Sequence, residues 1–204
     1  MRQQQRSEET RARILQAAEE GIAEHGYEAT GVAEICQRAG LSKGAFYHHF
    51  PSKQAVFLRL FNRWLAALDA DLVRACAGAA TIPQGLLRMA AVAPQVFEAG
   101  RGRLPVFLEF WTQAAHDPAI WQATIDPYRR YQAFFASLVR AGVAEGSLRP
   151  VDPELAARVV LSLAIGLVLQ GLLDSDGADW GQVAQEGVRL LIEGLGRRGD
   201  EEVE

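Results

Sequence analysis

Lysine is almost missing from this chain: Lys43 and Lys53 are the only two, and every other basic residue is arginine. Cysteine is as scarce, with Cys36 and Cys76 each lying inside a helical pattern. Two isolated cysteines suit a reduced cytosol and exclude a disulfide framework, which leaves a redox pair or simple filler. Runs of β-branched residues are few, and no stretch alternates apolar with polar as a strand requires. The longest apolar run, 159–169, is interrupted by Ser162 and Gly166 and is too short to span a bilayer, so no membrane partner is expected. The opening MRQQQRSEETR has no apolar core behind its charges, which argues against a secretory signal and for a cytoplasmic protein.

Chemistry-bearing motifs are also lacking. There is no nucleophile elbow, no zinc spacing and no phosphate-binding glycine loop, since Gly100-Arg101-Gly102 is too short a signal. His116 beside Asp117 reads as a turn rather than a dyad. His48 and His49 are adjacent, and neighbours on a helix point about 100° apart, so they would chelate a metal badly. No catalytic set, metal or cofactor is expected, and the chain does not read as an enzyme.

What is present is helix. Hydrophobic residues make up 49% and charged residues 23% of the 204, with alanine, leucine, glutamate and arginine abundant. The patterns predict an all-α fold of about nine helices: a small N-terminal domain over 1–53, then a larger helical domain over 54–204, joined by a helix at about 53–77. The first helix is expected over about 8–25, with Ile14, Ala17, Ala18 and Ile22 inward and Gly26 as its stop. Thr30 or Gly31 starts the second helix, with Val32 and Ile35 inward, and the fourth begins near Ser52. Residues 78–83 read as a linker. Further helices are expected over about 84–98, 104–115, 119–145 with a kink or break at Pro127, 153–173 and 179–195.

Charge is uneven. Residues 1–64 carry nine Arg and Lys against seven Asp and Glu, whereas 65–204 carry twelve against eighteen. A weakly basic head on an acidic body suits a protein that offers one end to phosphates. Both lysines lie in VAEICQRAGLSKGAFYHHFPSK, over 32–53. This segment reads as two short helices joined by a turn at Gly40, a helix-turn-helix. Phe46 and Phe50 share its inner face, and Lys43, Tyr47 and His48 its outer one. Ser42 can cap the second helix or reach a phosphate. Lys43 and Gly44 occupy the first turn, the part of a recognition helix that meets base edges. Lys43 can donate to guanine, and Gly44 allows close approach. Arg11 and Arg13 clamp phosphate or are simply solvated.

The stretch GYEATGVAEICQRAGLSKGAFYHHFPSKQAVF resembles the N-terminal domain of the TetR family of bacterial transcription regulators. The matching positions are Gly26, Tyr27, Thr30, Ile35, Ala39, Gly40, Leu41, Ser42, Gly44, Phe46, Tyr47, His49, Phe50, Ser52 and Lys53. Gly31 stands where the family usually has a second hydroxyl residue, and Cys36 where it usually has Ala. The resemblance implies that Tyr47, His49 and Lys53 bind phosphate, and leaves Thr30 as the phosphate contact beside Gly31. The DNA-binding set is therefore Thr30, Ser42, Lys43, Gly44, Tyr47, His48, His49 and Lys53.

One such unit reads few base pairs, so a homodimer on a double-stranded operator is expected. Its seam is placed on about 153–173 and 179–195, whose apolar residues exceed what one buried stripe requires; packing within the monomer is the alternative. In the family this helix pair forms a four-helix bundle with its twin. Aromatic residues crowd the region between. Most read as core, but family members carry an inducer cavity here. Arg103, Phe107, Phe110, Trp111, His116 and Tyr131 are the candidate contacts for a small hydrophobic or aromatic ligand. The expected function is a ligand-released repressor on a palindromic operator. The rival is an architectural or division-control DNA binder with no inducer.

Overall fold

A computed structural model describes residues 2–100 and 104–196 of the chain. Among them are ten helices: α1 (Arg2–His25), α2 (Val32–Ala39), α3 (Lys43–His49), α4 (Lys53–Cys76), α5 (Ile82–Ala90), α6 (Ala93–Gly100), α7 (Leu104–Ala114), α8 (Pro118–Ala144), α9 (Pro153–Leu173) and α10 (Trp180–Leu195). The described residues hold no strand, only an isolated antiparallel bridge between Leu148 and Gly196. The all-α expectation therefore stands.

The extra helix comes from the stretch expected as one element over 84–98. It is two, α5 and α6. The last turn of α5 is closed by Ala91 N–H to Leu87 O and Val92 N–H to Met89 O, both 3.0 Å. Pro94 then sits in the first turn of α6, where its missing N–H costs nothing. Pro94 was the legible signal for that restart. Pro127 behaves in the opposite way: α8 runs through it unbroken for 27 residues, and the ring is buried. A proline that loses one backbone bond can be outweighed by packing of the whole helix.

The chain divides into two compact units, Met1–Ala67 with Gly102–Thr124 and Leu68–Arg101 with Ile125–Glu204. This differs from the expected division after residue 53. The first half of α4 stays with the head because Phe57 and Phe61 pack on Phe110 of α7, with ring centroids 3.7 and 4.3 Å away. In that first unit Ile14, Ala17, Ala18 and Ile22 are all buried, as the helical spacing requires. Ile35, Phe46, Val56, Phe57 and Leu60 of the same unit are buried as well.

In the second unit α10 packs on α5, α6 and α9. Leu86, Met89 and Ile192 form one buried cluster, and Val139, Leu148, Ala156 and Leu195 another. A Cβ on Gly181 would lie 2.6 Å from Pro94 Cα, so α10 approaches α6 through a residue that must lack a side chain. Asp152 and Asp179 cap α9 and α10, each accepting backbone N–H bonds.

Helix α9 corrects one expectation. The apolar run 159–169 is short, but the helix containing it has 21 residues and is long and apolar enough to cross a membrane by length and composition. Only 28% of its apolar window is buried. Leu155, Val159, Leu169 and Leu173 are exposed along it, as are Val183 and Leu190 on α10. Leu155, Val159, Gly166, Leu169 and Leu173 recur at intervals that keep them near one face.

Candidate nucleic-acid interface

The segment 32–53 folds as helix, turn, helix. Gly31 precedes α2 without any side-chain cap bond, the consequence of lacking a hydroxyl there. Gly40 ends α2 at φ 62°, ψ 43°, the left-handed conformation that glycine adopts freely. Leu41 N–H bonds Cys36 O at 2.9 Å, which closes the turn. Ser42 then caps α3, its Oγ accepting from Ala45 N–H at 3.1 Å.

Burial separates the two faces of α3. Phe46 is fully buried and Phe50 nearly so, their ring centroids 6.3 Å apart. Lys43, Gly44 and His48 are exposed, and Tyr47 keeps 55% of its surface. Tyr47 meets the edge of Phe46 at 5.3 Å, so its ring is braced by the core while the hydroxyl end remains outside. His49 is half-buried. Burial, then His48 and Arg11, lower its pKa from the ordinary 6.5.

One candidate needs correction, and a second is partly engaged. Thr30 is completely buried, and its Oγ1 donates to Gly26 O at 2.9 Å. A side chain so enclosed cannot reach a phosphate. Its methyl lies 2.8 Å from where a Cβ on Gly21 would stand, so Thr30 locks the α1–α2 connection against a bare stretch of α1. Lys53 is half-buried rather than projecting. Its Nζ donates to Tyr27 O at 2.8 Å and lies 4.0 Å from the Tyr27 ring centroid. An ammonium has three donors, so some capacity remains.

Three other basic residues of the first unit are committed within it. Arg38 pairs with Glu24 at 2.6 Å and Glu34 at 3.0 Å, and the bond from Arg38 holds the Glu24 carboxyl below its usual range. Arg63 pairs with Glu19 at 2.6 Å. Arg13 is exposed yet engaged: its guanidinium donates to Ala39 O, and to Gly40 O at 3.3 Å. No local pattern could signal this partner, because 26 residues separate the two ends of the bond. The His48 and His49 rings lie 5.0 Å apart, edge to face, and no group of three metal-ligating side chains occurs among the described residues.

The candidate ligand residues do not form one described set. Arg103 lies outside the described residues, as does the side chain of Phe107. In the first unit Phe110 is 2% exposed and stacks on Phe57 at 8° between planes, so it is a core residue and not the wall of an open cavity. Trp111 and His116 are exposed. In the second unit the Tyr131 hydroxyl donates to Asp69 Oδ1 at 2.5 Å, and Arg130 reaches Asp69 Oδ2 at 3.1 Å. Burial and Asp69 together raise the phenol's pKa. A separate cleft of about 190 Å³, lined by Cys76, Thr81, Ile82, Gly85, Leu138 and Glu145, also belongs to this unit. Its carboxylate is already occupied: Glu145 accepts from Ile82 N–H at 2.8 Å and Ser147 Oγ at 2.5 Å.

Comparison with known proteins agrees with this geometry. Residues 14–60 match the family of bacterial regulatory proteins of the tetR type. Residues 88–196 match the C-terminal domain of BetI-type transcriptional repressors. The HTH-type transcriptional regulator UidR of Escherichia coli K12 is 25% identical over 199 residues, 94% of this chain and 95% of the relative. The regulator BetI of Burkholderia thailandensis is 30% identical over 167 residues, 80% of this chain and 82% of the relative. A crystal structure of a transcriptional regulator from Saccharomonospora viridis, in complex with choline, superposes with a TM-score of 0.82 at 27% identity. It covers 94% of this chain and 100% of that one.

Proposed function

Because the chain belongs to the TetR family of DNA-binding bacterial transcription regulators, we propose that it is a homodimeric repressor whose grip on a palindromic operator is loosened by a small molecule. Repression is supported by the match of residues 88–196 to a repressor C-terminal domain. The observation that carries the reading is a pair of bare faces of opposite chemistry. Lys43, Tyr47 and His48 project from α3 with a buried aromatic behind them. Leu155, Val159, Leu169, Leu173, Val183 and Leu190 project from α9 and α10 with water in front of them.

The polar face suits phosphates and base edges. Lys43 donates to guanine, Tyr47 and His49 to phosphate oxygens, and Gly44 lets the helix come close. The apolar face suits a second copy, through about 153–173 and 179–195. Burying such a stripe against its own twin satisfies both helices at once and yields the two-fold symmetry that a palindromic site mirrors. That cover also accounts for a membrane-length apolar helix in a DNA-binding regulator. Ligand control follows the allosteric scheme in which two sites bias one shared equilibrium. The relative from S. viridis was crystallised with choline, and a quaternary ammonium is held by aromatic faces. Choline therefore joins hydrophobic and aromatic compounds as a probe for this chain.

A second reading has its own support. Phe110 is packed in a core and Tyr131 is satisfied by Asp69, so two of the expected ligand contacts are already engaged. An architectural DNA binder without inducer would need nothing more from them. The experiment that separates the readings has three parts. Light scattering gives the solution mass, selection from a random duplex pool gives the preferred DNA, and thermal shift with choline and aromatic compounds tests for a ligand. A dimer, an enriched palindrome and a stabilising compound that weakens DNA binding are expected. A monomer, or a pool without enrichment, sinks the proposal. Enrichment with no stabilising compound favours the architectural reading.

A further inference from the structure

The most distinctive contact not used by that reading joins α1 to the end of α2. A helix C-terminus leaves its last carbonyls without intrahelical partners. At the end of α2 the carbonyls of Cys36 and Gln37 accept from the Leu41 and Gly40 N–H groups, at 2.9 and 3.2 Å. The carbonyls of Ala39 and Gly40 lie beyond that closure, and both accept from Arg13 Nη2. A cation there also meets the negative end of the helix dipole.

Gly40 makes room for this. A Cβ on Gly40 would stand 3.0 Å from Arg13 Nη2, and the residue's φ of 62° is one that side chains resist. Two residues later Ser42 caps α3. The guanidinium therefore holds the hinge from which the recognition helix starts. Its position on α1, whose Ile14 and Leu15 are anchored in the core, makes α1 the fixed reference for that hinge.

We propose that Arg13 is a positioning residue for DNA recognition. By clamping the Ala39 and Gly40 carbonyls to α1, it sets the angle at which α3 presents Lys43 and Tyr47 to base edges, without touching DNA itself. The inference rests on reading α3 as the recognition helix.

Salt dependence distinguishes this role from a phosphate contact. A lost phosphate contact lowers the slope of log K against log salt by about 0.9, and specific and non-specific DNA weaken together. A lost positioning contact leaves the slope unchanged and erodes specificity alone. The variants are Arg13→Lys, which keeps charge and stem but loses the planar fork, and Arg13→Met. Each is measured from about 50 to about 200 mM salt on a duplex enriched by the wild-type protein and on a scrambled duplex. We expect Arg13→Lys to bind the enriched duplex about ten-fold more weakly, the scrambled duplex within about two-fold of wild type, and the salt slope to stay unchanged. Arg13→Met should lose more of the same specificity. Full specificity in Arg13→Lys, or a fall in slope by about one contact in Arg13→Met, overturns the proposal. Lys43→Ala, run alongside, reports on α3 separately. If it binds the enriched duplex at full strength, the recognition-helix reading itself fails and this inference falls with it. Should Arg13→Met fold poorly by circular dichroism, the lysine variant decides alone.

Discussion

The outer face of α3 and the outer faces of α9 and α10 are both uncovered, yet they are uncovered for different reasons. On α3 the exposed groups are an ammonium, a phenol and an imidazole, and water satisfies each of them until something better arrives. On α9 and α10 the exposed groups are leucines and valines, which water does not satisfy at all. Exposure by itself therefore says little. A polar face can wait bare in solution, whereas an apolar stripe of this length implies a permanent cover. The two faces should accordingly respond to mutation in different observables: α3 in DNA affinity at constant mass, α9 and α10 in mass first.

The largest effect is expected from breaking the apolar face. Leu173 is 78% exposed and Leu190 69%, so glutamate at either position disturbs little within one chain. The double variant Leu173→Glu with Leu190→Glu should run as a folded monomer in sedimentation experiments. Its affinity for the enriched duplex should fall about 100-fold or more, since two tethered heads gain that much over one. A variant that stays dimeric removes these residues from the proposed seam.

The next effect sharpens the polar side. Lys43→Ala should cost about 1–3 kcal/mol of discrimination between the enriched and scrambled duplexes. Its solution mass and melting temperature should not move, because Lys43 is exposed. Band shifts read against light scattering check both halves of that statement. Thr30→Val gives the mirror result. The buried Thr30 hydroxyl holds Gly26 O, so its loss should lower stability by about 1 kcal/mol in denaturant melts while leaving the salt slope of DNA binding intact. A shallower slope would return Thr30 to the phosphate contacts.

Thr30 also marks where sequence reasoning stops. The inward face of α1, the left-handed Gly40, the Ser42 cap and the burial of Phe46 were all legible, because each is a matter of local spacing or of one residue's conformational freedom. What was not legible depends on partners far away in the chain. A hydroxyl beside a helix start looks like a phosphate ligand until Gly21 closes over it. The partner of Arg13 at the end of α2 lies 26 residues away, and Phe110 looks like a cavity wall until Phe57 stacks on it. Lys53, a phosphate contact by resemblance, is half-buried and donates to Tyr27 O. In each case the residue type was right for the expected role, and tertiary packing had assigned it another.

The smallest effect tests whether His49 belongs with the polar face. Its imidazole is half-buried and lies in the fields of His48 and Arg11, and all three influences hold its pKa below 6.5 in the free protein. A phosphate placed against it would favour the imidazolium and raise that pKa, so complex formation takes up a proton. Binding should then be tightest at low pH. It should weaken as pH rises from the pKa of the free form to that of the complex, and level off above. Between about pH 5.5 and about pH 7.5 the loss should be less than ten-fold, about 1 kcal/mol at most, because a ten-fold change in proton affinity corresponds to about 1.4 kcal/mol. His49→Gln should flatten the profile while His48→Gln leaves most of it, if His49 carries the phosphate and His48 faces the groove. Equal flattening by the two variants would make the pair a shared patch of charge, and an unaltered slope in His49→Gln would remove that residue from the interface.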